Sequence, residues 1–329
     1  MAETTTPPLP LTRESIQHAL DVIAASIHRT PLLMSSTLSA ETGSGRNQLL
    51  FKAENLQKGG AFKMRGAAYS ISCLSEEEKR AGVCAHSSGN HAGALALAAR
   101  TAGIPAYIVI PSDAPAPKIA ATRSYGAQVT LCEPTMEARA STLKQIQDET
   151  GAVFIPPFDA LNTMLGAGTT FIEVEQQAEE MGLGKVAAIV APVGGGGLLG
   201  GISIAAKGTG VRVFGAEPEA AGDCAQGLAS GERITKFSNN TIADGLKTPV
   251  GVRNFTVIQE NVENVITVTE EEIRTAQRLL MERLKVVVEP SGAVPFAVVR
   301  SEAFQALGIE GPIAVVMSGG NVDLDKLFA

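Results

Sequence analysis

The chain of 329 residues is short of the groups that staple, anchor or electrostatically commit a protein. It holds only four cysteines and four histidines. Cys73, Cys84, Cys132 and Cys224 form no Cys-x-x-Cys pair and stand at no zinc-finger spacing from a histidine, so no local zinc signature is present. Buried thiols in a reducing compartment are the expectation. Positive charge is also scarce: 27 Lys and Arg against 34 Asp and Glu give a net charge of -7, with no basic stripe. Such a chain repels phosphate backbones, and no nucleic-acid partner is expected. No apolar run is long enough to span a bilayer; the longest, residues 186–193, is strand-sized and ends in glycines. Residues 1–10 are rich in Thr and Pro, lack the basic and apolar regions of a signal peptide, and read as a frayed tail. A cytoplasmic chain that does not engage membranes is therefore expected.

What is present is ordinary globular material, 45% hydrophobic and 19% charged, enough for about two domains. A short apolar run, a Gly- or Ser-rich turn and a helical stretch recur, which is the pattern of β-α units around a parallel sheet. Strands are predicted at residues 83–86, 106–110, 128–131 and 153–155, with helices at 90–101, 117–125 and 134–150 between them. These make a compact α/β lobe by themselves. Pro156-Pro157-Phe158-Asp159 then reads as a hinge or boundary. Further strands are predicted at 187–193, 211–216, 265–268 and 313–317. Ser75-Glu76-Glu77-Glu78 and Thr269-Glu270-Glu271-Glu272 are capping boxes, the second opening a helix to about Lys285.

Four motifs carry chemistry. Gly194-Gly195-Gly196-Gly197 lies between an apolar strand and a helix beginning at Leu198. Backbone N–H groups converge there without side-chain obstruction, and the helix start adds positive potential, which suits a phosphate monoester. It is neither a dinucleotide fingerprint nor a P-loop, and by itself it could be a plain strand-helix turn. His86-Ser87-Ser88-Gly89-Asn90-His91 sits at another strand-helix junction and offers hydroxyl, amide and backbone donors to a carboxylate, or a simple N-cap. Lys63, after Gly59-Gly60-Ala61-Phe62, begins a helix. Helix-terminal potential and burial lower a lysine pKa there, and a neutral amine is what a Schiff base or general base needs; a solvated helix lysine is the plain alternative. Ser318-Gly319-Gly320-Asn321 ends the last strand, where ligands of α/β proteins bind, or is again a turn.

Taken in order, these four motifs, with Thr241-Ile242-Ala243-Asp244-Gly245 and Glu289-Pro290, resemble the fold type II pyridoxal-phosphate enzymes over nearly the whole chain. The branch resembled is that of serine racemase and the serine/threonine dehydratases. The resemblance implies an α/β, two-domain, tryptophan synthase β-like fold, each domain an open, mostly parallel sheet flanked by helices. Residues 1–75 and 160–329 would form a large cofactor-binding domain, and residues 76–159 a small one. No regulatory domain is expected after Phe328.

The same resemblance assigns roles. Lys63 would bind pyridoxal 5'-phosphate covalently and act as the base at the substrate Cα. Phe62 would pack beside the cofactor ring and Gly245 would line its other side. Gly194, Gly195, Gly196, Gly197 and Leu198 would hold the phosphate, Asn90 the ring hydroxyl and Ser318 the pyridine nitrogen. The substrate carboxylate would meet Ser87, Asn90 and His91, with Arg139 reaching in from the small domain. Ser88 would be the base on the face opposite Lys63; racemases of the family carry serine here and plain dehydratases usually alanine. Glu217 and Asp223 carboxylates with the Ala221 carbonyl resemble the family's divalent-cation loop, suited to Mg²⁺ or Ca²⁺. Lys285, Tyr125 and Asn321 match positions that bind activating ATP in some relatives. A homodimer acting on a small amino acid is expected. One departure stands out: the usual Ala-Gly-Gln-Gly-Thr is Leu165-Gly166-Ala167-Gly168-Thr169. It keeps open a dehydratase of threonine or 3-hydroxyaspartate, or an aspartate racemase, beside a serine racemase with accompanying dehydratase activity. The third reading, a non-catalytic anion- or nucleotide-binding α/β protein, rests on the weakness of each motif alone.

Overall fold

The structure, a computed structural model, describes residues 10–40, 48–114 and 116–324. Residues 1–9, most of the expected tail, lie outside the described residues. Ten strands are described: β1 (Leu32–Met34), β2 (Leu49–Lys52), β3 (Val83–His86), β4 (Ala106–Pro111), β5 (Gln128–Cys132), β6 (Val153–Phe154), β7 (Ala188–Pro192), β8 (Arg212–Pro218), β9 (Asn264–Val268) and β10 (Ile313–Val316). They form a six-stranded sheet, order β1-β2-β10-β7-β8-β9, and a four-stranded sheet, order β5-β4-β3-β6. Every pairing is parallel except β1 on β2.

Parallel strands covered by helices on both faces read as continuous apolar runs. β7 and β10 are such strands, buried at every residue. The period of two divides their side chains between two cores. Leu50, Ile189, Ala191, Ala314 and Val316 point to one, and Leu49, Phe51, Ala188, Val190, Ile313 and Val315 to the other. The first core continues into the four-stranded lobe through Val83, Ala85, Ile108 and Leu95. β5, at the edge of its sheet, is mostly exposed.

Helix Leu161–Glu180 crosses the first core and touches helices Lys63–Ser72 and Gly197–Ala206. It approaches both closely: a Cβ on Gly166 would stand 2.5 Å from the Arg65 carbonyl, and one on Gly168 would stand 2.6 Å from that of Gly201. Ala167 lies between them, 1% exposed. The segment where the family glutamine is missing is thus a wedge between the two helices that begin at Lys63 and at the glycine run.

Both capping boxes form: Ser75 and Thr269 each accept from the residue three on, whose glutamate returns the bond. The helix predicted from residue 134 begins at Met136 instead, because Thr135 accepts from the Ala138 N–H and caps it. Hydrogen bonds hold the 156–159 segment in place. Thr163 Oγ1 donates to the Pro156 carbonyl (3.1 Å), Lys63 Nζ to Pro157 (2.7 Å) and Asn254 Nδ2 to Phe158 (3.1 Å).

Candidate active site

The C-terminal ends of β3, β7 and β10 open on one crevice between the two sheets, the position at which ligands of open parallel sheets bind. Contacts tie three of the four motifs together there and set the glycine run against Gly245. Phe62 N–H donates to the Ser318 carbonyl at 3.0 Å. A Cβ on Gly319 would lie 3.2 Å from Asn90 Nδ2, and one on Gly194 would lie 3.0 Å from the Gly245 carbonyl. The crevice also joins the lobes through Lys118 and Asp244, paired at 2.7 Å.

Lys63 is the first residue of helix Lys63–Ser72. Its Nζ lies 5.0 Å from the Phe62 ring centroid, and burial pushes the amine down to about 8 against an opposing pull from Glu289. The helix is anchored from beneath. Arg65, fully buried, donates to both oxygens of Glu54 (2.8 and 2.7 Å) and of Glu173 (2.8 and 2.7 Å). Lys52 donates to Glu173 (2.6 Å), Gln177 (2.8 Å) and the Thr30 carbonyl (2.8 Å). Two cations and two carboxylates balance, which is what allows four charges to be buried together.

The glycine run caps helix Gly197–Ala206, with Gly196 at φ 85 in the left-handed region. The first N–H groups of that helix have no partner within it. There is no room for side chains: a Cβ on Gly195 would stand 2.1 Å from the Phe158 ring and one on Gly197 would stand 2.9 Å from the Phe158 carbonyl. The result is a backbone cradle at a helix start, an arrangement that suits an anion. Leu198 follows, 3% exposed, and Gly245 N–H donates to Ser291 Oγ at 3.0 Å.

Glu289 was not singled out from the sequence for any role. Its carboxylate accepts from Asn90 Nδ2 at 2.8 Å, its N–H donates to the Gly319 carbonyl at 3.0 Å, and Asn90 Oδ1 accepts from Asn321 Nδ2 at 3.0 Å. Burial, then the Asp244 charge, push Glu289 up to about 7. The readable signal was an acidic residue directly before Pro290, which opens an apolar helix, Pro290–Arg300.

Across the crevice stands the turn from β3 into helix Asn90–Ala102. Ser87 Oγ accepts from the Gly89 N–H at 3.3 Å, and Ser88 is half-buried. The His91 ring is committed elsewhere: Nε2 donates to the Ile155 carbonyl at 2.9 Å, and burial, then the Lys63 charge, hold the imidazole down at about 3. What His91 offers a ligand is the N–H of the helix's first turn. Arg139 Nε, from helix Met136–Thr150, is buried and has no hydrogen-bond partner among the described residues. Its charge acts on His86, which stacks on Phe154 at 5.7 Å.

The acidic loop lies at the end of β8. Glu217 accepts from the N–H groups of Cys224 (3.1 Å) and Ala225 (2.9 Å), and Asp223 Oδ2 from Val250 (2.9 Å). Asp223 Oδ1 is buried with no hydrogen-bond partner among the described residues. No group of three His, Cys, Asp or Glu suited to a metal occurs among the described residues, so the two carboxylates would need the Ala221 carbonyl or water to complete a shell.

Residues 23–319 match the family model of pyridoxal-phosphate dependent enzymes. The chain belongs to this family. It is similar to the serine racemase of Dictyostelium discoideum, 44% identical over 96% of this chain and 97% of that protein. It is also similar to the L-threo-3-hydroxyaspartate ammonia-lyase of Saccharomyces cerevisiae, 40% identical over 93% of this chain and 94% of the relative. The solved structure of maize serine racemase superposes with a TM-score of 0.91 at 42% identity, covering 96% of this chain and 95% of that one. The fold type II architecture is that of these relatives, and the reading as a non-catalytic anion-binding protein falls. This chain's residues fit pyridoxal phosphate: a lysine amine held near neutrality, a backbone cradle that excludes side chains, and a buried serine at the end of β10. Among the described residues no helix is long and apolar enough to cross a membrane.

Proposed function

We propose that the chain is a serine racemase that also dehydrates L-serine, or L-threonine, to a 2-oxo acid and ammonia. The observation that carries this is the pairing of a half-buried Lys63 amine held near 8 with the Ser87-Ser88-Gly89 turn across one crevice, in a chain similar to a serine racemase. When bound, pyridoxal phosphate supplies the electron sink that acidifies the substrate Cα–H.

The residues then divide the work. Lys63 removes the Cα proton from one face, and Ser88 returns a proton on the other. Asn90, Ser87 and the first-turn N–H of His91 hold the substrate carboxylate, with Arg139 beside them. Gly194 to Gly197 and Leu198 hold the phosphate, Phe62 and Gly245 flank the ring, and Asn90 faces its hydroxyl. Ser318 faces the pyridine nitrogen; a neutral hydroxyl cannot protonate it, which favours rapid reprotonation or elimination over a long-lived carbanion. Glu217, Asp223 and the Ala221 carbonyl hold Mg²⁺ or Ca²⁺, supported by the unpartnered Asp223 oxygen. ATP activation through Lys285, Tyr125 and Asn321, a cytoplasmic location and a homodimer complete the proposal; sedimentation of the purified chain tests the last.

The test is incubation of the cofactor-loaded enzyme with L-serine, following D-serine and pyruvate together. Both products are expected; pyruvate without D-serine removes the racemase half. A second reading, an ammonia-lyase acting on 3-hydroxyaspartate, or an aspartate racemase, is favoured by the unpartnered Arg139 Nε, which could meet a second carboxylate. A substrate panel separates the two, since a preference for 3-hydroxyaspartate or aspartate over serine rejects the first.

A further inference from the structure

Asn254 is 0% exposed and lies in the first turn of helix Val252–Asn261, outside every motif read from the sequence. Its Nδ2 donates to two carbonyls, Gly195 at 2.6 Å and Phe158 at 3.1 Å. Both partners are acceptors only, which fixes the orientation of the amide. The Gly251 N–H also donates to the Gly195 carbonyl at 3.1 Å. Asp159 holds this turn in place from the inter-lobe segment, accepting from the N–H groups of Val252 (3.0 Å), Arg253 (3.1 Å) and Asn254 (3.2 Å).

In a trans peptide the carbonyl of one residue and the N–H of the next point in opposite directions. Pinning the Gly195 carbonyl toward Asn254 therefore turns the Gly196 N–H the other way. We propose that Asn254 is a positioning residue for the phosphate cradle: by holding the Gly195–Gly196 peptide it aims the Gly196 N–H at the cofactor phosphate. Through Phe158 it ties the same peptide to the segment joining the lobes. The inference rests on the cradle being the phosphate site.

The test titrates apoprotein with pyridoxal phosphate and, separately, with pyridoxal, which lacks the phosphate, following the visible band of the lysine-bound cofactor. Asn254→Ala is expected to weaken pyridoxal phosphate at least ~10-fold, the scale of a hydrogen bond to a charged group, and pyridoxal less than about 2-fold. Asn254→Asp sets a carboxylate against two carbonyls and is expected to lose more. Asn254→Ser keeps one donor, is expected to fall between wild type and alanine, and carries the test if the alanine variant does not fold. Equal loss for both ligands, or pyridoxal phosphate binding within about 2-fold of wild type, overturns the proposal. Wild-type protein that binds the two ligands equally would instead sink the cradle reading beneath it.

Discussion

The two walls of the crevice are built on opposite terms. On the large-lobe wall most donors and carboxylates beside the site are paired, while the Asn55 and Asn254 amide oxygens have no hydrogen-bond partner among the described residues. Lys63 donates to Pro157, the Ser318 carbonyl accepts from Phe62, Glu289 takes Asn90, and Arg65 holds two carboxylates. On the small-lobe wall Ser88 is half-buried in a turn, and Arg139 Nε has no hydrogen-bond partner among the described residues. A satisfied wall is rigid and suits a resident cofactor; an unsatisfied one keeps its donors for a substrate that comes and goes. The difference teaches that binding and turnover can be perturbed separately, each from its own wall.

The largest effect is expected at Lys63. Lys63→Ala should remove the visible cofactor band and lower both D-serine and pyruvate formation by ~10³-fold or more, since covalent attachment and general-base function go together; retention of either activity would break the comparison at its firmest point. Next is the anchor beneath it. Arg65→Met leaves Glu54 and Glu173 with Lys52 as their only buried cation, and urea unfolding should show a loss of about 3–5 kcal/mol. Ser88→Ala should lower racemisation by ~10²-fold while pyruvate persists, with stability within about 0.5 kcal/mol of wild type. A stability loss at Ser88 as large as that at Arg65 would erase the distinction between the walls.

The effect smallest at neutral pH concerns His91, held at about 3 by burial and by the Lys63 charge, with His86 also facing it. The unfolded chain protonates this residue below its ordinary 6.5, the folded chain only near 3. Its contribution to stability is therefore complete above pH 6.5 and is lost as pH falls through that window, at up to about 1.4 kcal/mol per unit. His91→Gln keeps a donor for the Ile155 carbonyl and removes the titration, so thermal unfolding should fall less steeply with acid. An unchanged profile would place the acid sensitivity elsewhere.

Much of this was legible in the chain. The strand-turn-helix order around the glycine run, the Ser87-Ser88-Gly89 turn and both capping boxes are local patterns, set by residues a few positions apart. Strands β1 and β2 and helix Leu161–Glu180 were not read. The strands are short, and the helix draws its place from Gly166 and Gly168 packing on backbones far away in sequence. The partners that finish the site share this non-local character. Glu289 meets Asn90 across 199 positions, Asn254 meets Gly195 across 59, and Arg65 meets Glu173 across 108. A buried charge or amide announces itself only once its partner is folded beside it, so the sequence showed the groups that face the ligand better than those that hold them.

Solvent isotope reads directly whether two residues on opposite faces, Lys63 and Ser88, move the Cα proton. L-serine is incubated in D₂O with cofactor-loaded wild type and Ser88→Ala, and the recovered serine enantiomers are separated and analysed for deuterium at Cα. Wild type should yield deuterated D-serine, whereas Ser88→Ala should return deuterium only to L-serine, on the Lys63 face. Deuterated D-serine at the wild-type rate from Ser88→Ala would rule out Ser88 as the base on the second face.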